Sequence, residues 1–422
     1  MLDPAFIRDN PDRVRSAVRM KNEKADVDAW IRSDARRREL LVQNDELRAL
    51  RNRVSEEIGR KKKAKEDASV AIAEMRDVGD RIKALDEEIR KTEETLAEIH
   101  RWIPNVPHPS VPEGDESANR IVAEWGEPKE LPFPGKTHWE IGEALGILDF
   151  ARAAKVSGSG FAVYLGPGAL LQRALIRFMI DLHVREHGYR EVYTPYLVNR
   201  DSMFGTGQLP KLEADMYYAD KDDLFLIPTA EVPITNLHRD EIFADEELPK
   251  KYVGYTACFR REAGSAGKET RGLNRMHQFD KVELVRFTRA EDSYDHLEEL
   301  RANAEEVLRR LGLPYRTVIL ASGDLSFASA LTYDLEVWAP GQERWLEVSS
   351  CSNFEDFQAR RMKIRYKPAD GKGNRPVHTL NGSGLALPRT TIALLETYQR
   401  EDGTVAVPEA LRPYMDGLDV IA

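Results

Sequence analysis

A chain of 422 residues exceeds one ordinary domain of roughly 100–200 residues, so two domains are expected. It has no apolar run of about 18 residues, and its N-terminus carries Asp3, Arg8, Asp9 and Asp12, which argues against a membrane span or a signal peptide. The only cysteines, Cys258 and Cys351, rule out a disulfide framework and a CxxC zinc site and predict a cytoplasmic protein, while a net charge of −10 excludes a uniformly basic nucleic-acid binder.

The acidity is unevenly spread. Residues 1–103 hold 24 Lys and Arg against 23 Asp and Glu, so this part remains available to an anionic partner. Between residues 72 and 99, Met75, Val78, Ile82, Leu85, Ile89, Leu96 and Ile99 recur at threes and fours, interrupted only by Thr92, which is the seam of a coiled coil. Leu40, Leu47 and Val54 repeat at sevens in an earlier segment, and no proline falls between Pro11 and Pro104. The pattern predicts two helices in an antiparallel hairpin, with a polar turn near residues 60–71. Residues 48–65 hold eight basic and two acidic side chains. Arg60, Lys61, Lys62, Lys63 and Lys65 at the tip read most simply as a solvated end, and on a projecting arm as a strip for phosphates.

Pro104, Pro107, Pro109 and Pro112, followed by Glu113-Gly114-Asp115-Glu116-Ser117, read as a linker over 104–118 between an N-terminal domain (1–103) and a second domain (119–422). Strand-like runs are expected at 162–166, 190–198, 224–230, 251–259, 278–288, 314–320, 330–339 and 344–350, with helical patterns at 168–187, 290–311, 355–364 and 389–400. The run of strands from 224 to 288 predicts an α+β domain, an antiparallel sheet flanked by helices.

Three segments carry chemistry. Phe259-Arg260-Arg261-Glu262-Ala263-Gly264-Ser265, then Arg271-Gly272-Leu273, then Met276-His277-Gln278-Phe279-Asp280-Lys281-Val282-Glu283, form a strand, a glycine-rich polar loop and a returning strand. An arginine projecting from a sheet grips phosphate or carboxylate through two N–H groups, an acid beside it accepts from an adenine amino group, and Phe279 can stack on a base. Arg-Arg-Glu alone reads as surface ion pairs on a hairpin. In Glu347-Val348-Ser349-Ser350 an acid and a hydroxyl three residues apart offer hard oxygens to Mg²⁺; out of context this is an ordinary strand ending. In Asn381-Gly382-Ser383-Gly384-Leu385-Ala386-Leu387-Pro388-Arg389 a glycine-rich loop leads into an apolar helix with Arg389 in its first turn, by itself a weak phosphate-site signal. His183 and His187, four apart on a predicted helix, lack the acid of an HExxH arrangement; they read as a satisfied helix surface, and no zinc is expected.

With Thr229-Ala230-Glu231, which follows Leu224-Phe225-Leu226-Ile227-Pro228, these segments resemble motifs 2 and 3 of the class II aminoacyl-tRNA synthetases in their seryl form. The resemblance runs from the coiled coil to Pro413-Tyr414-Met415 and implies a seryl-tRNA synthetase: a class II core, ATP and Mg²⁺, and a homodimer joined around helix 168–187 and Tyr193-Thr194-Pro195. It assigns L-serine to Thr229, Ala230, Glu231, Arg260, Glu283, Asn381 and Ser383, the last standing where many members have threonine. It assigns ATP to Arg260, Arg261, Glu262, Met276, His277, Gln278, Phe279, Glu347, Val348, Ser349, Ser350 and Arg389, and Mg²⁺ to Glu347 and Ser350. Arg260, Glu347 and Arg389 are the implied catalytic residues, with Arg260 on the α-phosphate and Arg389 on the γ-phosphate. The implied partner is tRNA(Ser), gripped by the coiled coil at its long variable arm, and tRNA(Sec) as in the family generally. Two other readings compete: a ligase that loads a small amino acid onto a carrier protein, which would lack the coiled coil, and a catalytically dead scaffold, which would have no reason to keep Arg260, Glu262, Glu347 and Arg389 together.

Overall fold

The proline-free stretch folds as two long helices, α1 (Val27–Ala64) and α2 (Ser69–His100). At 1.5 Å per residue, the 38 residues of α1 span about 57 Å. The computed structural model describes residues 1–263 and 270–422, in two compact units, Leu2–Pro104 and Asn105–Ala422. Gly264 and Ser265 of the glycine-rich loop lie outside the described residues.

In the first unit Val78, Ile82, Ile89 and Leu96 of α2 are buried, as the heptads require, while on α1 Leu40 is buried and Leu47 and Val54 only half-buried. A polar pair crosses the seam, where buried Asn44 donates to Asp86 at 2.7 Å; buried Asp34 receives Arg8, which precedes α1, and Arg38 of α1 itself at 3.4 and 3.2 Å. Arg36–Glu88 and Arg48–Asp86 pairs at 2.7 and 2.8 Å link the helices in antiparallel register. The turn is tighter than expected. Helix α1 continues through Arg60, Lys61, Lys62 and Lys63, and only Lys65, at φ +60°, belongs to the bend. Cations in a last helical turn face the partial negative charge of unpaired carbonyls, which favours that continuation.

The second unit is built on an eight-stranded sheet. Its strands are β1 (Arg120–Trp125), β2 (Arg190–Glu191), β3 (Lys250–Phe259), β4 (Gln278–Thr288), β5 (Tyr315–Ile319), β6 (Leu331–Ala339), β7 (Arg344–Asn353) and β8 (His378–Ala386), in the order β1-β5-β6-β7-β8-β4-β3-β2. Neighbours are antiparallel except β2 and β3. Helices α3 (His138–Ala144), α4 (Pro167–Arg185), α5 (Glu231–Asn236), α6 (Ser293–Arg310), α7 (Phe357–Met362) and α8 (Leu387–Thr397) surround it. Val282 and Leu284 of β4 join Leu297 and Leu300 of α6 and Ile392 and Leu395 of α8 in the main core. Alternate residues of β4 face the other way, where Val285 and Phe287 enter a second core with Ile234 of α5 and Ala359 and Met362 of α7. Among the described residues no helix is long and apolar enough to cross a membrane.

Three features go beyond what the sequence anticipates. The glycine-rich segment at 381–386 is not a loop but part of β8, inside the sheet between β7 and β4. Its glycines reflect crowding: a Cβ on Gly382 would lie 2.3 Å from Leu300 Cδ2 and 3.1 Å from Cys351 Sγ. Strand β1, an edge strand with mostly exposed side chains, carries too little apolar alternation to be read from the sequence. Within the proline-rich stretch, Asn105 already belongs to the second unit and is buried in it, its N–H donating to the Phe327 carbonyl at 3.1 Å and its amide to those of Ala328 and Phe354 at 2.9 and 2.8 Å.

Gly382→Ala should lower stability by about 1–3 kcal/mol, the usual cost of forcing a methyl into a packed core. A thermal unfolding midpoint equal to that of the unmodified chain would show that α6 yields freely.

Candidate active site

Strand geometry alone would not collect these side chains, because successive residues of a strand face opposite ways. Two bulges intervene. Between β4 and β8, Val282 pairs with Leu385 and Glu283 with Ser383, leaving Gly384 as the extra residue. Between β6 and β7, Leu335 pairs with Ser349 and Glu336 with Glu347, leaving Val348 extra. Ser383 and Ala386, three apart, therefore reach one face, as do Glu347 and Ser350. With Phe279, Lys281 and Glu283 of β4 they line a two-lobed cleft of about 740 and 260 Å³, whose lobes share Arg260, Glu262, Arg275, Lys281, Glu347, Ser350 and Ser383.

The larger lobe contains Thr229, Glu231, Glu283 and Asn381. Glu283 is fully buried, and its Oε2 accepts from the Thr229 hydroxyl at 2.9 Å and pairs with Lys281 Nζ at 2.5 Å. Its Oε1 and the Asn381 Oδ1 are buried with no hydrogen-bond partner among the described residues. An unpaired buried acceptor is costly, so these two oxygens point to a ligand with donors. Glu231 receives Gln358 Nε2 at 2.7 Å, and Gln358 is in turn held by the Thr379 hydroxyl at 2.7 Å. Burial first, and the nearby Glu283 second, push the Glu231 carboxyl up to about 7.

The smaller lobe contains Met276, Phe279, Val348 and Arg389. The Arg260 guanidinium lies 5.1 Å from the Phe279 ring centre, and its Nε donates to the Pro228 carbonyl at 3.3 Å. Glu262, at φ +51°, pairs with Arg275 at 2.9 Å. Pro388 at the start of α8 suits a first turn whose N–H groups are unpaired anyway, and places Arg389 where Nη1 meets the Glu347 carbonyl at 2.7 Å and carboxylate at 3.2 Å. Partial desolvation in the cleft would raise the half-exposed Glu347 carboxyl, but Arg389 and Arg260 outweigh it and hold it below the ordinary value. Asp334, which accepts from the Ser350 hydroxyl, is pushed well up by burial and then by Glu347.

Ala230, Arg261, His277, Gln278 and Ser349 are not among the residues lining either lobe. Ala230 belongs to the second core, and the buried Ser349 hydroxyl donates to the Ser383 carbonyl at 2.6 Å on the far side of the bulge. His277 ties the start of β4 to the end of β3, its carbonyl accepting from the Arg260 N–H at 2.9 Å and its ring 3.0 Å from the Arg260 carbonyl, while its own N–H donates to the Gly160 carbonyl at 2.8 Å. Sequence reasoning assigned no role to Lys281, Asp334 or Gln358. Lys281 was legible from its spacing of two from both Phe279 and Glu283; no local signal marked the other two. His183 and His187 lie together at 3.0 Å, with burial pushing His183 down to about 3, away from the cleft. Among the described residues no group of three His, Cys, Asp or Glu side chains is arranged to hold a metal.

Residues 1–107 match the family model of the seryl-tRNA synthetase N-terminal domain, and residues 213–398 that of the class II tRNA synthetase core domain (G, H, P, S and T). The chain is 54% identical to the serine–tRNA ligase of Desulforapulum autotrophicum, covering 100% of this chain and 99% of that protein. It is also 54% identical to that of Geobacter sulfurreducens, covering both chains fully. The crystal structure of Pyrococcus horikoshii seryl-tRNA synthetase complexed with ATP superposes with a TM-score of 0.96 at 38% identity, covering 100% and 99% of the two chains. The Naegleria fowleri cytoplasmic serine–tRNA ligase in complex with AMP gives a TM-score of 0.90 at 30% identity, covering 100% and 98%.

The raised Glu231 value has a defined sign. Between pH 4.5 and about 7, ionising this buried carboxyl costs the folded state about 3 kcal/mol, stability that is present at lower pH. Glu231→Gln keeps the oxygen that Gln358 donates to, so at pH 8 it should be more stable than the parent by roughly that amount, with the gap closing near pH 4. Denaturant unfolding at both pH values measures this; an equal difference at each would mean that ionisation is not the cause.

Proposed function

The chain belongs to the seryl-tRNA synthetases, class II ligases that use ATP to join serine to tRNA, and on that footing we propose that the larger lobe takes L-serine and the smaller ATP. Glu283 carries this reading. With Oε2 occupied by Thr229 and Lys281, only the buried Oε1 remains to accept from a substrate hydroxyl. Alanine would leave that oxygen unpaired, a stronger basis for rejection than the loss of one apolar contact. The Arg260 guanidinium, common to both lobes, binds the serine carboxylate and then the α-phosphate.

In the first step a serine carboxylate oxygen attacks the α-phosphorus of ATP, a mixed anhydride forms, and pyrophosphate leaves. The attacking group is already ionised at neutral pH, so the site needs no general base. Positioning and charge stabilisation do the work: Arg260 at the α-phosphate, Arg389 at the γ-phosphate, Phe279 against the adenine and Glu262 at its amino group. The donor set of Glu347 and Ser350, with Asp334 accepting from the Ser350 hydroxyl, fits Mg²⁺, a hard cation that takes oxygen ligands. Bound there, the ion would offset phosphate charge. In the second step a terminal ribose hydroxyl of tRNA attacks the anhydride carbonyl and AMP leaves. The acceptor is tRNA(Ser) and, on family grounds, tRNA(Sec), held through Arg60, Lys61, Lys62, Lys63 and Lys65 on the first unit. A homodimer is part of the same proposal, on the resemblance of helix 168–187 and Tyr193-Thr194-Pro195 to the family's subunit-contact element.

Amino-acid-dependent ATP–pyrophosphate exchange should occur with serine alone and fall by roughly 10²–10³ in Arg389→Ala; exchange with no amino acid would leave only a scaffold. Glu283→Ala should raise the serine KM about tenfold or more and erode discrimination against alanine. Unchanged serine kinetics would make Glu283 structural. Replacing Arg60, Lys61, Lys62, Lys63 and Lys65 by glutamate should weaken tRNA charging while leaving exchange intact, because phosphate contacts act only on the second substrate. Parallel loss of both activities would remove the tip's role.

A further inference from the structure

Behind the smaller lobe lies a buried polar cluster to which the proposed mechanism gives no task. Its centre is Glu396, near the end of α8, with zero exposure. Glu396 Oε1 accepts from the His138 backbone N–H at 2.9 Å, faces His138 Nδ1 at 3.0 Å and receives Gln342 Nε2 at 3.0 Å. Its Oε2 accepts from the N–H groups of Gly341 and Gln342 at 3.0 and 3.1 Å. Two routes lead from it to the segment that returns from the glycine-rich loop. By one, the other imidazole nitrogen, His138 Nε2, accepts from the Leu273 backbone N–H at 2.9 Å. By the other, Gln342 Oε1 accepts from Asn274 Nδ2 at 3.0 Å.

The first route fixes the tautomer. A backbone N–H can only donate, so Nε2 carries no proton and Nδ1–H points at Glu396. Burial outweighs the pull of Glu396 and keeps the imidazole neutral, helped by Arg344. Gly272, at φ +66°, leaves no room for a side chain, since a Cβ there would stand 2.2 Å from His138 Nε2. Leu273, Asn274 and Arg275 line the smaller lobe, the Asn274 carbonyl receives Arg389 Nε at 3.4 Å, and Arg275 pairs with Glu262.

We propose that His138, Gln342 and Glu396 are positioning residues for the nucleotide: together they set the distance of segment 271–275 from the smaller lobe and, through it, the poses of Arg389 and Glu262. The inference rests on the reading of that lobe as the ATP site. None of the three lines either lobe; of the residues they position, Leu273, Asn274 and Arg389 line the smaller lobe alone, whereas Glu262 and Arg275 line both, so the loss should fall chiefly on ATP.

Pyrophosphate exchange with the full chain, with ATP and serine KM determined separately, tests this. His138→Asn keeps a group near Nδ1 but strands the Leu273 N–H, whereas His138→Gln can return an oxygen to that donor. The Asn variant should raise the ATP KM roughly tenfold, the scale of one lost buried hydrogen bond, with the serine KM within about twofold and the Gln variant much nearer the parent. Gln342→Met, which cuts the second route at a half-buried turn, should move the ATP KM in the same direction, and decides the matter if the His138 variants do not fold. Equal rises in both KM values, no rise, or a Gln variant no better than Asn would overturn the inference. Absence of serine-dependent exchange in the parent chain would instead sink the reading of the cleft, and the inference with it.

Discussion

Alternation along a strand is the constraint on which the site depends. A regular antiparallel sheet would send Glu347 and Ser350 to opposite faces, and likewise Ser383 and Ala386, because each pair is three residues apart. Extra residues at Val348 and Gly384 reset the parity, so that three neighbouring strands face one cleft with polar groups while their other face stays apolar. Gly384 is small for a packing reason: a Cβ there would come within 2.8 Å of the buried His183 ring.

The charges gathered in this way satisfy one another. Arg389 rests on Glu347, Arg275 on Glu262 and Lys281 on Glu283. Because Glu347 is 46% exposed and its partner 25%, solvent screens their attraction, and the pair is held only weakly. Lys281 and Glu283 are 8% and 0% exposed. Separating them would strand a buried charge, so this pair belongs to the scaffold of the larger lobe and the free Glu283 oxygen is the part offered to a ligand.

The helical hairpin uses polar groups for register. Asn44 of α1 is buried and bonded to Asp86 of α2, and a buried polar residue at such a position penalises slipped alignments that would separate it from its partner. The basic residues at the end of α1 are largely exposed, with Lys61 tied to Glu57 at 2.9 Å.

Much of this was legible in the sequence because it follows from short-range rules. Heptads and the absence of proline determined the hairpin, β-rich runs marked β3, β4 and β6, and a proline before Arg389 marked the first turn of α8. The motif segments indicated which residues meet. Only the tertiary structure decided that 381–386 is an inner strand, since its glycines imitate a loop and their cause, the crowding by Leu300 and His183, comes from distant helices. It also decided which of the motif side chains face the cleft, because a bulge is a property of two paired strands and leaves no mark in either alone. For the same reason Gln358, Asp334 and the His138–Glu396 pair, 258 residues apart, gained their meaning only on folding: a buried donor finds its acceptor through space, and sequence separation carries no information about which one it will be.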